Sequence, residues 1–303
     1  MVFTYYLPTL TGTIDKKETE FNSVIIIGAN GSGKSKLGAW MEQQNMMGVH
    51  RIGGQRNLNF RENIPLQNYT LAEEAVLYGG SDLNNETLRA TKFFRWKEGK
   101  QYTTTLLDDF EDVLAALIAL THNENMEYID ACKQAEREGK EKPATTKSAL
   151  DKLIDVWDKI FPQRKLRMED SRFITFFEKN GKEVKYSSDQ MSDGERAVLY
   201  LTAQVLCVPE KKTLIIDEPE LHLHRSIMNR LWCALESCRP DCLFIYITHD
   251  TEFASLHGTS DKIWIKEYDG KNWELAKIEE MDLPEGLLFD ILGSRKKRVV
   301  CRR

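Results

Sequence analysis

Val24-Ile-Ile-Ile27-Gly28-Ala-Asn30-Gly31-Ser32-Gly33-Lys34-Ser35 is the stretch on which the fold turns. Four consecutive β-branched residues predict a buried strand. The next eight follow the pattern G-x-x-x-x-G-K-S, a phosphate-binding loop. Its glycines admit positive φ and let backbone N–H groups approach a polyphosphate. The helix opening near Lys34 aims the positive end of its dipole at the same oxygens. Lys34 is expected on the β- and γ-phosphates and the Ser35 hydroxyl on Mg²⁺. A plain glycine turn shares the spacing, but not the strand before it and the helix after it. The segment therefore predicts a nucleoside triphosphate site made by Gly28, Asn30, Gly31, Ser32, Gly33, Lys34 and Ser35.

Two further apolar runs end in reactive side chains. Leu214-Ile-Ile-Asp217-Glu218-Pro219 is a buried type of strand closing on adjacent carboxylates. Such a strand delivers Asp217 to the Mg²⁺ shell beside Ser35. Glu218, one residue on, stands where a carboxylate polarises an attacking water; the plainer reading is a solvated strand-end acid. Cys242-Leu-Phe-Ile-Tyr-Ile247 leads into Thr248-His249-Asp250. A histidine at that end of a strand can hydrogen-bond a γ-phosphate or the attacking water, although alone it would read as a surface or capping residue.

Met191-Ser192-Asp193-Gly194-Glu195-Arg196 precedes the apolar helical run Ala197–Leu206. Ser192 with Glu195 three residues later is a capping box, which by itself would explain the segment. Taken in order, the phosphate loop, this helix start, the Asp-Glu strand and the strand-end histidine resemble the ABC-type ATPases. Their signature motif, Walker B carboxylates and switch histidine stand in the same sequence. The resemblance covers roughly residues 20–60 and 185–270. It implies ATP and Mg²⁺ as cofactors, and Glu218 and His249 as the catalytic pair. It also implies that Ser192, Asp193, Gly194 and Glu195 contact the nucleotide of a second copy. Asp193 replaces the first glycine of the usual signature; a small polar side chain tolerates the left-handed conformation. Gln55, after Val49-His-Arg-Ile52, matches the family's Q-loop glutamine, a Mg²⁺ and water contact, while a surface glutamine explains it equally well.

Within that family, Pro219-Glu220-Leu-His222-Leu-His224 resembles the soluble group labelled AAA family ATP-binding proteins. That group includes the overcoming-lysogenization-defect type and the ATPases of anti-phage systems such as PARIS. The resemblance puts His222 and His224 in a D-loop that touches a second subunit. A zinc site there lacks further ligands at suitable spacing. What the resemblance implies about partners is head-to-tail self-association through ATP, and a separate effector of Toprim or nuclease type.

The expected fold class is α/β: a P-loop NTPase of ABC-ATPase type, with a mixed sheet flanked by helices, an antiparallel β layer and an inserted helical lobe. Residues 1–105 would form its N-terminal half, 106–162 the lobe, 163–292 the C-terminal half and 293–303 a basic tail. Met1–Glu20 reads as a hairpin, with Thr11-Gly-Thr13 and Asp15-Lys-Lys17 as turn material; the ABC-type resemblance implies an aromatic of this layer on adenine, Tyr5 or Tyr6, though strand residues packing a small sheet explain both more simply. Asn57–Asn68 reads as loop and Leu71–Tyr78 as a short helix. Apolar spacing from Asp109 to Leu120 and from Ser148 to Ile160 is helical, with Leu150, Leu153, Ile154 and Trp157 on one face. No heptad persists long enough for a coiled coil. Asn180-Gly181 and Asp269-Gly270 mark hairpin turns, and Pro284–Leu292 reads as a helix stopped by Gly293.

Composition fits a globular chain of 303 residues, 41% hydrophobic and 29% charged. Six cysteines without a C-x-x-C pair read as reduced thiols, which points to the cytoplasm. The opening Met-Val-Phe-Thr-Tyr-Tyr lacks the features of a secretory leader, and no apolar run suffices for a membrane span. The chain carries 47 acidic and 42 basic residues, and six of the basic ones fall in the last nine. An acidic body argues against a wide DNA-binding face, so a nucleic-acid partner is open but without support. Two alternatives share every nucleotide contact with an ATPase: a nucleotide-gated scaffold with slow hydrolysis, and the ATP-binding subunit of a transporter.

Overall fold

The computed structural model describes residues 1–80, 92–96, 105–257 and 259–278. Its centre is a six-stranded sheet built from β3 (Ser23–Gly28), β4 (Val49–Ile52), β8 (Thr213–Asp217), β9 (Leu243–Thr248), β10 (Asp261–Tyr268) and β11 (Trp273–Ile278), ordered β11-β10-β3-β9-β8-β4. The pairings among β10, β3, β9, β8 and β4 are parallel, and β11 turns back antiparallel on the edge. A parallel sheet is covered on both faces, which is why β3 and β9 are apolar and buried throughout.

Alternation along β3 splits the core. Val24 and Ile26 point into one apolar cluster with Leu37 and Met41 of α1 (Lys34–Gln44) and Tyr5 and Leu7 of the N-terminal hairpin. Ile25 and Ile27 point into the other, against α4 (Phe110–Arg137), α5 (Ala149–Ile160) and α6 (Asp193–Cys207). The helical segment 110–160 thus shares its core with the sheet. In α5 the buried face is Ala149, Leu153, Val156, Trp157 and Ile160, with Leu150 and Ile154 half-buried at its margins.

The antiparallel parts agree with their turn chemistry. The hairpin β1 (Phe3–Pro8) and β2 (Ile14–Thr19) turns over Thr9–Thr13, where Gly12 has φ 78°. Asp15–Lys17, read as turn material, lies within β2, because threonine hydroxyls and Gly12 already close the turn. A three-stranded sheet, β5 (Lys165–Glu169), β6 (Arg172–Lys179) and β7 (Lys182–Ser187), leads to α6. Between β6 and β7, Asn180 and Gly181 have φ 54° and 71°, as a tight two-residue turn requires. The segment 284–303 read as helix and basic tail lies outside the described residues.

Buried charge ties these layers together. Glu42 of α1 accepts from Lys92 at 2.8 Å and Arg51 of β4 at 3.0 Å, all three within 2% of full burial. Burial pushes the Glu42 carboxyl up, and the two cations overcome this and hold it below its usual range. Asp109 stands at the N-terminus of α4 without capping it. Its oxygens instead accept from Arg95, from Tyr200 at 2.7 Å and from Gln204 at 2.9 Å of α6. The phosphate-loop helix, β4, the lobe and α6 are therefore joined by polar contacts that tolerate no missing partner.

Candidate functional site

Parallel register brings the sequence candidates to one end of the sheet. Gly28 of β3 pairs with Ile265 of β10, Ile27 with Thr248 of β9, and Ile247 with Asp217 of β8. The phosphate loop, His249 and the Asp-Glu pair consequently emerge side by side at the carboxyl ends of the strands, where ligands of open α/β sheets bind. Two glycines of the loop have steric reasons. A Cβ on Gly28 would fall 2.4 Å from Ser32 Oγ, and one on Gly33 would fall 2.7 Å from Tyr268 Cδ1 with φ already 74°. Gly33 is also the N-cap of α1, so the free N–H groups of that helix open into the loop.

Lys34 is 7% exposed; its ammonium donates to Ala29 O at 3.1 Å and lies 3.7 Å from Glu218 Oε1. Asp217 is buried behind it. Burial pushes its carboxyl up, while a hydrogen bond from Ser35 and the nearby Arg51 oppose the rise. Asp217 Oδ1 is buried without a hydrogen-bond partner. An orphaned carboxylate oxygen beside a serine hydroxyl, at the start of the helix, is a donor set that fits Mg²⁺. Ser35, Arg51, Gln55, Asp217 and Glu218 line one cavity, so the exposed Gln55 faces the same space as the carboxylates.

Glu218 has φ 50°, a left-handed conformation that costs a non-glycine residue on the order of 1 kcal/mol. Its own N–H donates to Ile247 O at 2.9 Å, and its carbonyl accepts from Leu221 N at 3.1 Å and from buried Arg56 at 3.4 Å. That turn swings the Glu218 carboxylate across to His249, whose Nδ1 lies 2.6 Å from Oε2.

Glu220 is the residue that sequence reasoning missed. Its Oε1 accepts from Thr248 Oγ1 at 2.8 Å and lies 3.1 Å from His249 Nδ1. Glu218, Glu220 and His249 bring their ligand atoms within 4.8 Å of one another. Burial, with the Glu218 carboxyl alongside, pushes the Glu220 carboxyl up to about 8, so at neutral pH it carries a proton. The only sequence signal was a second acid three residues past the strand, and Pro219 hid the turn that folds it back. Because the folded pKa is raised, the native state holds a proton that the unfolded chain has lost from about pH 4.5 upward. Stability from this group therefore falls as pH rises through 4.5–8. Glu220→Gln keeps the neutral form at all pH. Its unfolding free energy should gain on the wild type as pH rises, by at most about 1.4 kcal/mol per pH unit. Denaturant titrations at pH 5.5 and 8 check this; a gap that stays constant refutes the raised Glu220 pKa.

The signature candidates lie on the start of α6. Ser192 caps it and Glu195 completes the capping box, with both Glu195 oxygens engaged: Oε2 by Ser192 N and Oγ, Oε1 by Arg164 and Tyr186. Glu195 is 1% exposed, which places its carboxylate inside the protein, while Ser192 and Asp193 are exposed. Asp193 is the first helical residue and does not adopt the positive φ anticipated for it; the capping box already sets the loop. Gly194 faces the backbone of His222, and His224 caps α7 (Arg225–Cys238) by accepting from Ser226 N at 3.2 Å. Tyr5 is buried in the core, and Tyr6 lies opposite Lys16 within the hairpin.

A phosphate loop on a parallel sheet, with an Asp-Glu strand end beside it, defines an α/β P-loop NTPase fold. The family model described as "AAA domain, putative AbiEii toxin, Type IV TA system" matches residues 56–255, and the chain belongs to that family of ATPase domains. No curated protein matches the chain. Among solved structures it is similar to an SmcHead bound to the C-winged helix domain of ScpA, with 15% identity over 92% of this chain and 98% of that one and a TM-score of 0.48. An SMC head domain from Thermotoga maritima gives 14% identity, coverage of 92% and 99%, and a TM-score of 0.43. A structure from work on ATP-driven dimerization and DNA-stimulated activation of SMC ATPases gives 15% identity, coverage of 57% and 96%, and a TM-score of 0.37. Among the described residues no helix is long and apolar enough to cross a membrane.

Proposed function

We propose that the chain binds and hydrolyses ATP with Mg²⁺, and that it does so as a head-to-tail dimer acting on an effector. The observation that carries the reading is the convergence of Lys34, Ser35, Asp217, Glu218 and His249 on one end of the sheet. Lys34 and the loop N–H groups bind the β- and γ-phosphates. Ser35 and Asp217 hold the metal, which, when bound, neutralises phosphate charge, and Gln55 reaches the same cavity. Glu218 takes up the proton of the attacking water, and His249, held by Glu218 and Glu220, orients toward the γ-phosphate.

The site of one protomer offers donors from one side. The Ser192–Gly194 helix start, exposed at Ser192 and Asp193, supplies the missing donors to a second copy, which makes the nucleotide the joint between two chains. The Pro219–His224 segment and the family's description, with its "AbiEii toxin, Type IV TA system", support a role in anti-phage defence; the resemblance behind that role brings a separate effector of Toprim or nuclease type, and the unpaired cysteines fit the cytoplasm. The division into 1–105, 106–162, 163–292 and 293–303 belongs to the same proposal.

Steady-state phosphate release measured beside the ATP-dependent change in molecular mass tests the reading. Mg²⁺-dependent release together with a doubling of mass is expected. A mass change with no release would favour the nucleotide-gated scaffold, and co-purification with a membrane protein would favour the transporter subunit.

A further inference from the structure

The residues above account for the phosphate end of a nucleotide and leave its base without a seat. Strand order restricts where that base goes. β9 and β8, which carry His249 and the carboxylates, lie on one side of β3, and β10 lies on the other. A triphosphate whose terminal phosphate faces Glu218 and His249 must lead its ribose and base the opposite way, over the end of β10.

β10 ends in Tyr268. Its ring stacks on Trp273 with centroids 4.7 Å apart and planes at 26°. Trp273 is buried and donates Nε1–H to Gly33 O at 3.2 Å, and the Tyr268 hydroxyl donates to Gly270 O at 2.6 Å. The ring is therefore fixed against the phosphate loop, close enough that any side chain at Gly33 would strike it. Trp273 fills one face of the ring. Over the ring, 5.3 Å from its centroid, lies the ammonium of Lys36, an exposed cover in a cation–π contact. Lys36 is two residues past Lys34 on the same helix, on the route from loop to base.

We propose that Tyr268, backed by Trp273, is the platform on which the nucleobase stacks, with the Lys36 side chain yielding its place over the ring. This rests on the nucleotide reading above. Of the N-terminal tyrosines, Tyr5 is enclosed in the core, and Tyr6 lies in β1 opposite Lys16, in a hairpin away from β10 in the sheet order.

The test compares equilibrium binding of ATP and of inorganic tripolyphosphate, both with Mg²⁺, to the wild type, Tyr268→Ala and Tyr268→Phe. Loss of one base–aromatic stack should weaken ATP by about 10-fold or more in Tyr268→Ala. Tripolyphosphate, which has no base, should bind that variant as it binds the wild type, and this also shows the loop to be intact. Tyr268→Phe keeps the ring and should bind ATP within about 2-fold of wild type. A Tyr268→Ala variant that weakens both ligands equally, or neither, overturns the inference, because the ring would then only be packing Gly33. A wild type that binds neither ligand is a different result, and refutes the nucleotide reading along with this one.

Discussion

Glu218→Gln is expected to lower phosphate release by about 10²–10⁴-fold, the usual cost of a positioned base, while ATP stays bound. Three features make this substitution selective. Gln has the shape of Glu and the same difficulty with φ 50°, so the turn held by Ile247, Leu221 and Arg56 keeps its geometry. His249 Nδ1, 2.6 Å from the carboxylate, still finds a polar partner. Lys34, 3.7 Å from Glu218, loses an anion that competes with phosphate for its ammonium, so nucleotide affinity should hold or rise. An ATP-bound dimer should accumulate, visible as a mass increase that persists after excess ATP is removed. Unchanged turnover would remove Glu218 from the role of base, and lost binding would make it a structural residue instead.

The parts of this site that were legible in the sequence are those dictated by local chemistry. Gly28–Ser35 encodes its loop because each glycine answers a backbone or steric demand. The capping box at Ser192 and Glu195 is readable because both partners lie within one turn. The two-sided burial of the central strands follows from their unbroken apolar runs. What stayed hidden depends on contacts distant in the chain or on rare backbone. Glu220 gains its meaning from Thr248 and His249, which a left-handed residue at 218 brings within reach. Glu195 read as a nucleotide contact because a motif does not reveal that Arg164 and Tyr186 claim its carboxylate. Tyr268 and Trp273 stand at a hairpin turn far from the loop in sequence, and only the pairing of β10 with β3 sets them at Gly33. Asp109, where the helical spacing begins, is drawn into the buried network by Tyr200 and Gln204, which lie far from it in sequence.

Mixing two inactive variants should restore activity if the site is shared between chains. Lys34→Ala removes the phosphate-loop cation and leaves Ser192–Gly194 intact. Gly194→Arg blocks the start of α6, where a Cβ has free space and nothing nearer than 3.9 Å, and leaves the phosphate loop intact. Each variant alone builds dimers with two defective sites, and losing electrostatic donors of this kind costs about 10²–10³-fold in rate. In a mixed dimer, the loop of the Gly194→Arg chain faces the helix start of the Lys34→Ala chain, and that one site is wild type. Random pairing of equal amounts makes half of the dimers mixed, each with one of two sites working. Phosphate release should therefore recover to about a quarter of the wild-type rate. Recovery must also depend on total protein concentration, because the mixed species forms by association. A mixture no more active than the variants alone would mean that each chain completes its own site, or that the start of α6 has no part in it. The capping box gives this experiment its footing: Glu195 is buried and committed, while Ser192 and Asp193 at the start of α6 are exposed, so a blocking side chain at Gly194 acts at the surface and leaves the cap in place.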